Sequence, residues 1–385
     1  MKTAITLPRC KSVIIRQMFV HFVLKGDVMP IEADDCDDVR VTHDALCVVC
    51  DSVGRGSTVN VGECGAAYRF LMALLAVTPG IWLLTGSPRL LQRPMEELVE
   101  TLCSIGGRIT RTDAGWRIEG RALSAERLTI DCRRTSQYAS ALLLVAPKMG
   151  LRELGFLPEE VTSQPYIQLT RLCTPWHVKV GDLPEPDGPL GRAGDWSAAL
   201  FWYANAVICR KRQDAVSYEL RNLSLQSAQG DAVIAGWFAR LGVESEETEA
   251  GVRITAREMN LAEPLRFDVA DHPDVVPVLA ATAALLPADI TFLHTRNLQY
   301  KESDRVRHLA EQLAPFADIE RTEDSMRVRG LARDRWPAPP YVFHTLHDHR
   351  LAMAFLLFGR DARIDDPGCM SKSFPQLSDI LQCDM

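Results

Sequence analysis

Cationic side chains stand repeatedly where the sequence predicts that apolar helices begin. Lys11, Arg16, Arg69, Arg350 and Lys372 lie at or just inside such starts. Positive charge is unfavourable there, because the helix dipole has its positive end at the N-terminus. Free backbone N–H groups at the same end can bind an anion, and the arginine fork matches phosphate and carboxylate. The pattern predicts a polyanionic ligand, with a solvated charged surface as the alternative for one or two of these residues.

The stretch at residues 62–69 combines such a cation with small residues. It reads GECGAAYR, and the apolar run FLMALLAV follows it directly. Small residues let an anion approach the backbone closely, and Arg69 adds a fixed positive fork. The stretch therefore predicts a seat for phosphate or carboxylate. The alternative is an ordinary tight turn into a core helix, because short glycine patterns are weak signals by themselves.

Length and composition allow two domains of ordinary size. The chain has 385 residues, of which 47% are hydrophobic, so a large core is available and disorder is not expected. Its net charge of −7 lacks the general basic footprint of a nucleic-acid binder. No segment is long and clean enough to span a membrane, and the N-terminus lacks the apolar region of a signal peptide. We therefore expect no nucleic-acid partner and no membrane partner.

The cysteines indicate a reducing compartment. Eleven of them, an odd number, are scattered through apolar runs, which is typical of buried free thiols and not of a disulfide framework. We therefore expect a cytoplasmic protein. Cys47 and Cys50 form a lone CxxC in a strand-like run, with no second pair at zinc spacing, so we interpret them as core packing.

A repeated module must position the charged helix starts. In each copy, small or polar residues open an apolar helix, a second helix follows, and a short strand comes next. Six copies predict an α/β protein with three modules in each of two domains. The apolar helices would fill the core, and their N-termini would face a shared cleft. The copies open near Lys11, Gly62, Arg134, Gly194, Asp271 and His347.

Several short motifs occur in order from Lys11 to Lys372. They are Lys11-Ser12 with Arg16, Gly65 with Arg69, Arg93-Pro94, Ser136-Gln137, Lys301-Glu302-Ser303-Asp304-Arg305 and Asp348-His349-Arg350. In combination they resemble the EPSP synthase family, the 5-enolpyruvylshikimate-3-phosphate synthases, which are enolpyruvyl transferases. The resemblance covers nearly the whole chain, and it rests on the combination and not on any single motif.

The resemblance implies a two-domain inside-out α/β barrel, in which each domain holds three repeated helix-strand units. The first domain would span residues 12–229, and the second would combine residues 1–11 with residues 230–385. The active site would lie in the cleft between the domains. The implied activity is that of a 3-phosphoshikimate 1-carboxyvinyltransferase, which transfers enolpyruvyl from phosphoenolpyruvate to the 5-hydroxyl of shikimate 3-phosphate and releases phosphate. This reaction belongs to the shikimate pathway of aromatic amino acid biosynthesis and is the target of glyphosate.

The resemblance also implies the site, residue by residue. Asp274, alone or with Lys11, would be the base on the shikimate hydroxyl, and Glu302 would protonate the methylene carbon and later remove a proton. Shikimate 3-phosphate would contact Ser12, Arg16, Thr135, Ser136, Ser163, Tyr166, Asp274, Asn297 and Lys301. Phosphoenolpyruvate would contact Lys11, Gly65, Arg93, Gln137, Arg305, Arg350 and Lys372. No metal or organic cofactor is implied, and a monomer is expected.

These assignments have plainer alternatives. Asp274 could be a helix cap, and Lys301 with Glu302 could be a solvated charged turn. The spacing of His344, His347 and His349 could suggest a metal site. Because His349 belongs to the Asp-His-Arg motif, we expect no metal there.

The second motif departs from the family pattern. Glu63 stands where the family usually has asparagine, and Ala66 stands where it usually has threonine. A negative charge near the expected phosphate and a lost hydroxyl both bear on phosphoenolpyruvate affinity and on glyphosate sensitivity. One alternative is therefore a catalytically weakened paralogue that binds phosphorylated ligands. The other is UDP-N-acetylglucosamine enolpyruvyl transferase, which carries a reactive cysteine before the Arg-Pro motif, whereas residues 87–92 contain none.

Overall fold

The chain divides into two units, and it passes between them near Lys11, as expected, and at a second point that differs from the expected one. This computed structural model describes residues 2–210, 216–258, 263–286 and 288–377. The first unit is Lys11–Asp187, and the second unit combines Met1–Cys10 with Gly188–Met385. The chain therefore returns to the second unit near Gly188, and not near Gly230 as expected. The physical reason is that residues 196–208 lie in the hydrophobic core of the second unit, and residues 217–221 pair with its N-terminal strand.

Helices and strands are numbered along the chain, and strand β1 (Lys2–Thr6) belongs to the second unit. The helices of the first unit are α1 (Lys11–Lys25), α2 (Asp37–Ser52), α3 (Gly65–Ala76), α4 (Pro88–Leu91), α5 (Glu96–Ser104), α6 (Gln137–Leu144), α7 (Ala146–Met149) and α8 (Gln164–Cys173). Its strands are β2 (Thr58–Asn60), β3 (Gly80–Thr85), β4 (Arg108–Thr112), β5 (Gly115–Gly120), β6 (Arg127–Cys132), β7 (Glu153–Val161) and β8 (Lys179–Val180).

The second unit has the same alternation of helices and strands. Its α-helices are α9 (Trp196–Arg210), α10 (Ile234–Ala239), α11 (Val276–Leu285), α12 (Arg305–Leu313) and α13 (His349–Leu356). Its remaining strands are β9 (Val216–Arg221), β10 (Val243–Glu247), β11 (Gly251–Ala256), β12 (Leu265–Asp268), β13 (Asp289–Leu293), β14 (Ala317–Arg321), β15 (Ser325–Gly330), β16 (Tyr341–Phe343) and β17 (Ala362–Ile364). Short 3₁₀ turns include Gly230–Val233, Pro273–Val275, Arg296–Tyr300 and Pro367–Lys372.

The sheets show the repeat directly. Three four-stranded sheets have the orders β2-β3-β5-β4, β1-β9-β11-β10 and β12-β13-β15-β14. In each, the first pair is parallel and the other two pairs are antiparallel. The buried helix α3 connects β2 to β3, and the buried helix α11 connects β12 to β13, because parallel strands need a long crossover. Between β1 and β9 the chain passes through the whole first unit and then through α9. Two smaller sheets, β6-β7-β8 and β16-β17, contain parallel pairs only. The predicted repeat is therefore confirmed.

The apolar helices form the centre of each unit, and the sheets cover them. Every residue of α3 except Ala66 is buried, as is every residue of α11. Helices that are apolar on all sides are stable only when other parts of the protein surround them. The strands cover them with one face, as shown by β13, in which buried and half-buried residues alternate. In the first unit α3 packs on α6 and α1, and in the second unit α11 packs on α9 and α13. The predicted inside-out α/β architecture is confirmed, with three opening helices in each unit.

The CxxC pair lies on a helix, so the predicted strand-like run is wrong. Cys47 and Cys50 belong to α2 and are partly exposed. The buried face of α2 contains Val39, Leu46 and Val49, and this helical spacing outweighs the local β-branched composition. In the described ranges no helix has the length and apolar character needed to cross a bilayer.

Candidate active site

Three helices of the first unit begin at serines assigned to shikimate 3-phosphate. Ser12 lies in the first turn of α1, Ser136 precedes α6, and Ser163 precedes α8. Ser136 and Ser163 are buried, yet neither side chain caps its own helix. Ser163 has a φ of 56°, a left-handed conformation that costs energy in a residue with a Cβ and clusters at functional sites. These helix starts and hydroxyls are suited to binding a phosphate.

Arg16 is buried in α1, where it contacts four uncharged oxygens. Its Nε donates to Thr170 Oγ1 at 2.7 Å, and its Nη1 donates to the Ser12 carbonyl at 2.9 Å. Its Nη2 donates to the Tyr166 carbonyl at 3.1 Å and to Ser140 Oγ at 3.3 Å. The structure thus brings together Ser12, Arg16 and Tyr166, as the resemblance implies. A buried cation attracts an anion strongly, because the low dielectric strengthens the interaction.

Three residues assigned to phosphoenolpyruvate meet around Arg69, which is only 1% exposed. Arg69 Nη1 donates to the Gly65 carbonyl and to Gln137 Oε1, both at 3.1 Å. Its Nη2 donates to the Pro94 carbonyl at 3.0 Å, next to Arg93. A Cβ added to Gly65 would lie 2.5 Å from Arg93 Nη1, so glycine leaves the space that this guanidinium fills. Arg69 therefore joins the three segments that carry the predicted contacts.

Lys11 is the first residue of α1, and its ammonium group is held by Asp38. Lys11 Nζ lies 2.6 Å from Asp38 Oδ2, and both side chains are largely buried. Asp38 occupies the first turn of α2, where the helix dipole favours a carboxylate. Nearby, Cys64 caps α3 by accepting from the Ala67 N–H at 3.5 Å, and burial raises the pKa of its thiol to about 12. The ion pair fixes the ammonium group in position, and the thiol stays protonated.

The second unit contains a buried ion cluster around Arg305. Arg305 Nε and Nη2 donate to the two oxygens of Asp348 at 2.9 and 3.2 Å. Its Nη1 donates to Asp274 Oδ1, and its Nη2 donates to Glu302 Oε2, both at 2.8 Å. Burial by itself would lower the pKa of Arg305, but the charges of the three carboxylates outweigh it and raise that pKa. One guanidinium thus links two residues assigned to proton transfer.

Asp274 faces two further cations. Arg350 Nη2 lies 3.6 Å from Asp274 Oδ2, and Lys301 Nζ lies 3.9 Å from Asp274 Oδ1. Burial raises the pKa of Asp274, but the charges of Lys301, Arg305 and Arg350 together hold it well below its usual range. The carboxylate is therefore ionised at neutral pH.

The plainer interpretations of these residues do not match the geometry. Asp274 does not cap α11, since the residue at that position is Val275. Lys301 and Glu302 do not form a solvated turn, because their side chains are only 23% and 19% exposed.

Comparisons with known proteins agree with this arrangement of elements and motifs. A sequence profile of the family described as EPSP synthase (3-phosphoshikimate 1-carboxyvinyltransferase) matches residues 39–381. A 3-phosphoshikimate 1-carboxyvinyltransferase of Bacteroides fragilis is 34% identical over 403 residues, covering 99% of this chain and 95% of that protein. The chain belongs to the EPSP synthase family. The resemblance inferred from the motifs is confirmed, and with it the assignment to the transferases.

Comparisons with more distant proteins extend the likeness. The 3-phosphoshikimate 1-carboxyvinyltransferase of Methanospirillum hungatei is 29% identical over 411 residues, covering 96% of this chain and 92% of that protein. The solved EPSP synthase of Acinetobacter baumannii superposes with a TM-score of 0.66 at 19% identity, covering 99% of this chain and 95% of that one. The enolpyruvyl transferase NikO of Streptomyces tendae has a TM-score of 0.60 at 14% identity, covering 100% and 94%. These two structures support the fold alone.

The remaining assigned residues are Thr135 in the first unit and Asn297 and Lys372 in the second unit. Thr135 Oγ1 accepts from the Gln137 N–H at 3.2 Å. Asn297 is buried, and its Nδ2 donates to the Ala270 carbonyl at 3.3 Å. Its Oδ1 has no hydrogen-bond partner among the described residues, as expected of an acceptor that a ligand would satisfy. Lys372 is buried in the turn Pro367–Lys372, which packs on α13.

The sequence assigned no contact to several residues that support this candidate site. Asp348 looks like an ordinary N-cap, and it does accept from the Arg350 N–H, so only its contact with Arg305 reveals a second role. Asp38 lies far from Lys11 in the chain, and no local pattern predicts their pairing. In the described part of the chain, no group of three or more potential ligands is arranged to hold a metal ion.

Ser197 connects Arg350 to a buried carboxyl group, that of Asp231. The Ser197 hydroxyl donates to Asp231 Oδ2, and the Ser197 carbonyl accepts from Arg350 Nη1 at 3.3 Å. Asp231 Oδ1 is buried and has no hydrogen-bond partner within the described residues. Burial, together with the charge of Asp274, raises the pKa of Asp231. This carboxyl group therefore binds its proton more tightly than a free aspartate does, in contrast to Asp274.

Proposed function

We propose that the chain transfers the enolpyruvyl group of phosphoenolpyruvate to the 5-hydroxyl of shikimate 3-phosphate and releases phosphate. The observation that carries this proposal is the ion cluster in which Arg305 joins Asp274 to Glu302, within a chain of the EPSP synthase family. A reducing compartment, here the cytoplasm, fits the free thiols of the described cysteines, and we propose a monomer.

Shikimate 3-phosphate is assigned mainly to the helix starts of the first unit. The hydroxyls of Ser136 and Ser163 and the N-termini of α6 and α8 would bind its phosphate, and the buried Arg16 would add a positive charge. Ser12, Thr135 and Tyr166 would complete the contacts in this unit. Asp274, Asn297 and Lys301 would contact the ligand from the second unit. Asn297 Oδ1, which has no hydrogen-bond partner among the described residues, supports the contact with Asn297, because a ligand hydroxyl could donate to it.

Phosphoenolpyruvate is assigned to the cations of both clusters. In the first unit these groups are Lys11, the Gly65 backbone, Arg93 and Gln137, and in the second unit they are Arg305, Arg350 and Lys372. Preorganised positive charge stabilises the transition state when phosphate leaves. Because Arg305 already binds three carboxylates, an incoming carboxylate would compete with Glu302 and Asp274 for its N–H groups. Substrate binding would thus loosen the two groups that transfer protons.

The chemistry divides into addition and elimination. In the addition, the shikimate 5-oxygen bonds to C2 of phosphoenolpyruvate, Asp274 takes the hydroxyl proton, and Glu302 gives a proton to the methylene carbon. In the elimination, the bond from C2 to the phosphate oxygen breaks, Glu302 takes back a proton from the methyl group, and the hydroxyl proton taken by Asp274 leaves with the phosphate. The ionised state of Asp274 suits a base. Lys11 would stabilise the phosphate charge, since Asp38 holds its ammonium group in place.

One assay separates this proposal from its alternatives. Purified protein is incubated with phosphoenolpyruvate and shikimate 3-phosphate, and released phosphate is measured against time, with binding of shikimate 3-phosphate measured by calorimetry. We expect release that depends on both substrates. Binding without release would instead favour a weakened paralogue that only binds phosphorylated ligands. Release with UDP-N-acetylglucosamine in place of shikimate 3-phosphate would favour the sister transferase.

A further inference from the structure

Side-chain hydrogen bonds connect three helices of the first unit, one or two turns after their N-termini. Arg16 follows Ser12 by four residues in α1, and Ser140 follows Ser136 by four residues in α6. Thr170 lies in the second turn of α8, which Ser163 precedes. In a helix, side chains tilt toward the N-terminus, and residues four apart lie on one face. Arg16 and Ser140 therefore lie about one helical turn beyond Ser12 and Ser136, and Thr170 lies about two turns beyond Ser163.

The contacts between them form a closed hydrogen-bond network. Thr170 Oγ1 accepts from Arg16 Nε at 2.7 Å and lies 2.8 Å from both Ser140 Oγ and the Tyr166 carbonyl. Ser140 Oγ accepts from Arg16 Nη2 at 3.3 Å. Both hydroxyl side chains are fully buried, at 0% exposure, and Arg16 is 2% exposed. Each hydroxyl thus accepts a hydrogen bond from the guanidinium and can donate one to an oxygen of α6 or α8.

We infer that Thr170 and Ser140 are positioning residues that orient Arg16 and hold the starts of α1, α6 and α8 in register for the phosphorylated substrate. This inference rests on the proposed function for the identity of that substrate. Neither residue is among those assigned to contact a ligand, and both act through Arg16. Hydroxyls suit this role better than carboxylates, because they orient the guanidinium without neutralising its charge. The cation therefore keeps its attraction for an anionic ligand.

Two substitutions test the hydroxyl of Thr170 directly. Thr170→Val keeps the shape but removes the acceptor, so a buried N–H of a charged group loses its partner. Thr170→Ser keeps the hydroxyl and is the matched control. Hydrogen bonds to charged groups contribute about 1.5–3 kcal/mol, which corresponds to a loss of affinity of about tenfold or more. Ser140→Ala removes a single, longer contact, and we expect a smaller loss, of about threefold.

The readouts are the Kd for shikimate 3-phosphate alone, measured by calorimetry, and KM for each substrate in the phosphate-release assay. We expect Thr170→Val to raise the Kd and KM for shikimate 3-phosphate about tenfold. KM for phosphoenolpyruvate should stay within about twofold, because the contacts around Arg69 are separate. Thr170→Ser should restore the wild-type values, which a merely structural role for bulk at this position does not predict.

Several results would overturn the inference. Wild-type affinity in Thr170→Val would do so, as would equal losses for both substrates. If Thr170→Val and Ser140→Ala both failed to fold, the pair would serve stability alone. If the wild-type chain bound shikimate 3-phosphate but released no phosphate, the proposed function would fail while the calorimetric comparison still decided the role of Thr170. If it bound no shikimate 3-phosphate, both would fail.

Discussion

Arg305 and Asp348 form a two-point ion pair that is almost completely removed from solvent. Two guanidinium nitrogens reach the two carboxylate oxygens at 2.9 and 3.2 Å, and the side chains are 1% and 0% exposed. Asp348 also accepts from the Ser303 hydroxyl at 2.9 Å and from the Arg350 N–H at 3.0 Å. One carboxylate thus holds the side chain of Arg305 and the backbone of Arg350, the two arginines of the second unit that are assigned to phosphoenolpyruvate.

Removing this carboxylate should weaken the fold as well as the site. Asp348→Ala leaves Arg305 buried with fewer partners and deletes the cap of α13, so we expect a loss of about 3 kcal/mol in the free energy of unfolding. Urea denaturation measures it. The control is Asp318→Ala, which breaks an exposed pair with Arg329 and should cost less than about 1 kcal/mol. Equal costs in the two variants would contradict a special role for Asp348.

Glu302 should be needed for turnover and not for folding. Glu302→Gln keeps an acceptor for Arg305 but cannot give or take a proton, so we expect kcat to fall at least about a hundredfold. Thermal unfolding should remain close to that of the wild type. Asp304→Asn is the matched control, because Asp304 caps α12 through the Arg307 N–H and asparagine caps equally well. Near-normal turnover in Glu302→Gln would refute the assigned proton transfer.

Arg69 should act through its geometry and not its charge. Arg69→Lys keeps the charge, but one ammonium group cannot reach the Gly65 carbonyl, Gln137 and the Pro94 carbonyl together. We expect KM for phosphoenolpyruvate to rise about tenfold, which corresponds to the loss of one or two hydrogen bonds. KM for shikimate 3-phosphate should not change. The control is Arg117→Lys, in an exposed pair on β5, which should match the wild type in both KM values.

A methyl group at Gly65 should displace Arg93. In Gly65→Ala the new carbon would meet Arg93 Nη1 at 2.5 Å, so the guanidinium must move. We expect weaker phosphoenolpyruvate binding with little change in stability, because a flexible side chain can yield. Gly236→Ala is the control, since a Cβ there meets nothing within 4 Å and alanine favours the helix. Calorimetric titration and thermal unfolding distinguish the two effects, and unchanged phosphoenolpyruvate affinity in Gly65→Ala would count against the assigned contact.

The raised pKa of Asp231 gives a stability difference that depends on pH. The folded protein binds the Asp231 proton more tightly than the unfolded chain does. The resulting contribution to the free energy of unfolding is therefore complete below the ordinary pKa of about 3.9, and it is lost as the pH rises through the pKa of Asp231 in the folded protein. Asp231→Asn stays neutral and can still accept from Ser197. We therefore expect the variant to match the wild type near pH 4 and to be more stable at pH 8 in urea denaturation. A less stable variant at pH 8 would indicate that the ionised form is the stabilising one.

Much of this molecule could be predicted from local patterns. Apolar runs such as the one after Arg69 must be surrounded, so they predict central helices. Local patterns failed where packing decides. The segment around Cys47 has strand-like composition, yet its apolar residues are spaced for a helix face. The boundary near Gly188 could not be predicted either, because it depends on which strands β9 pairs with.

The sequence by itself determined the residue types, the six helix starts and the family motifs, because these are read from order and spacing along the chain. Only the tertiary structure decided the partners of those residues. Each of these cations is held by residues from a distant part of the chain. Lys11 pairs with Asp38, Arg305 pairs with Asp348, and Arg16 donates to Thr170 and Ser140. Pairing at a distance depends on how helices pack, and helix packing depends on the whole core. The charges at the helix starts were therefore predictable, whereas the groups that hold them in place were not.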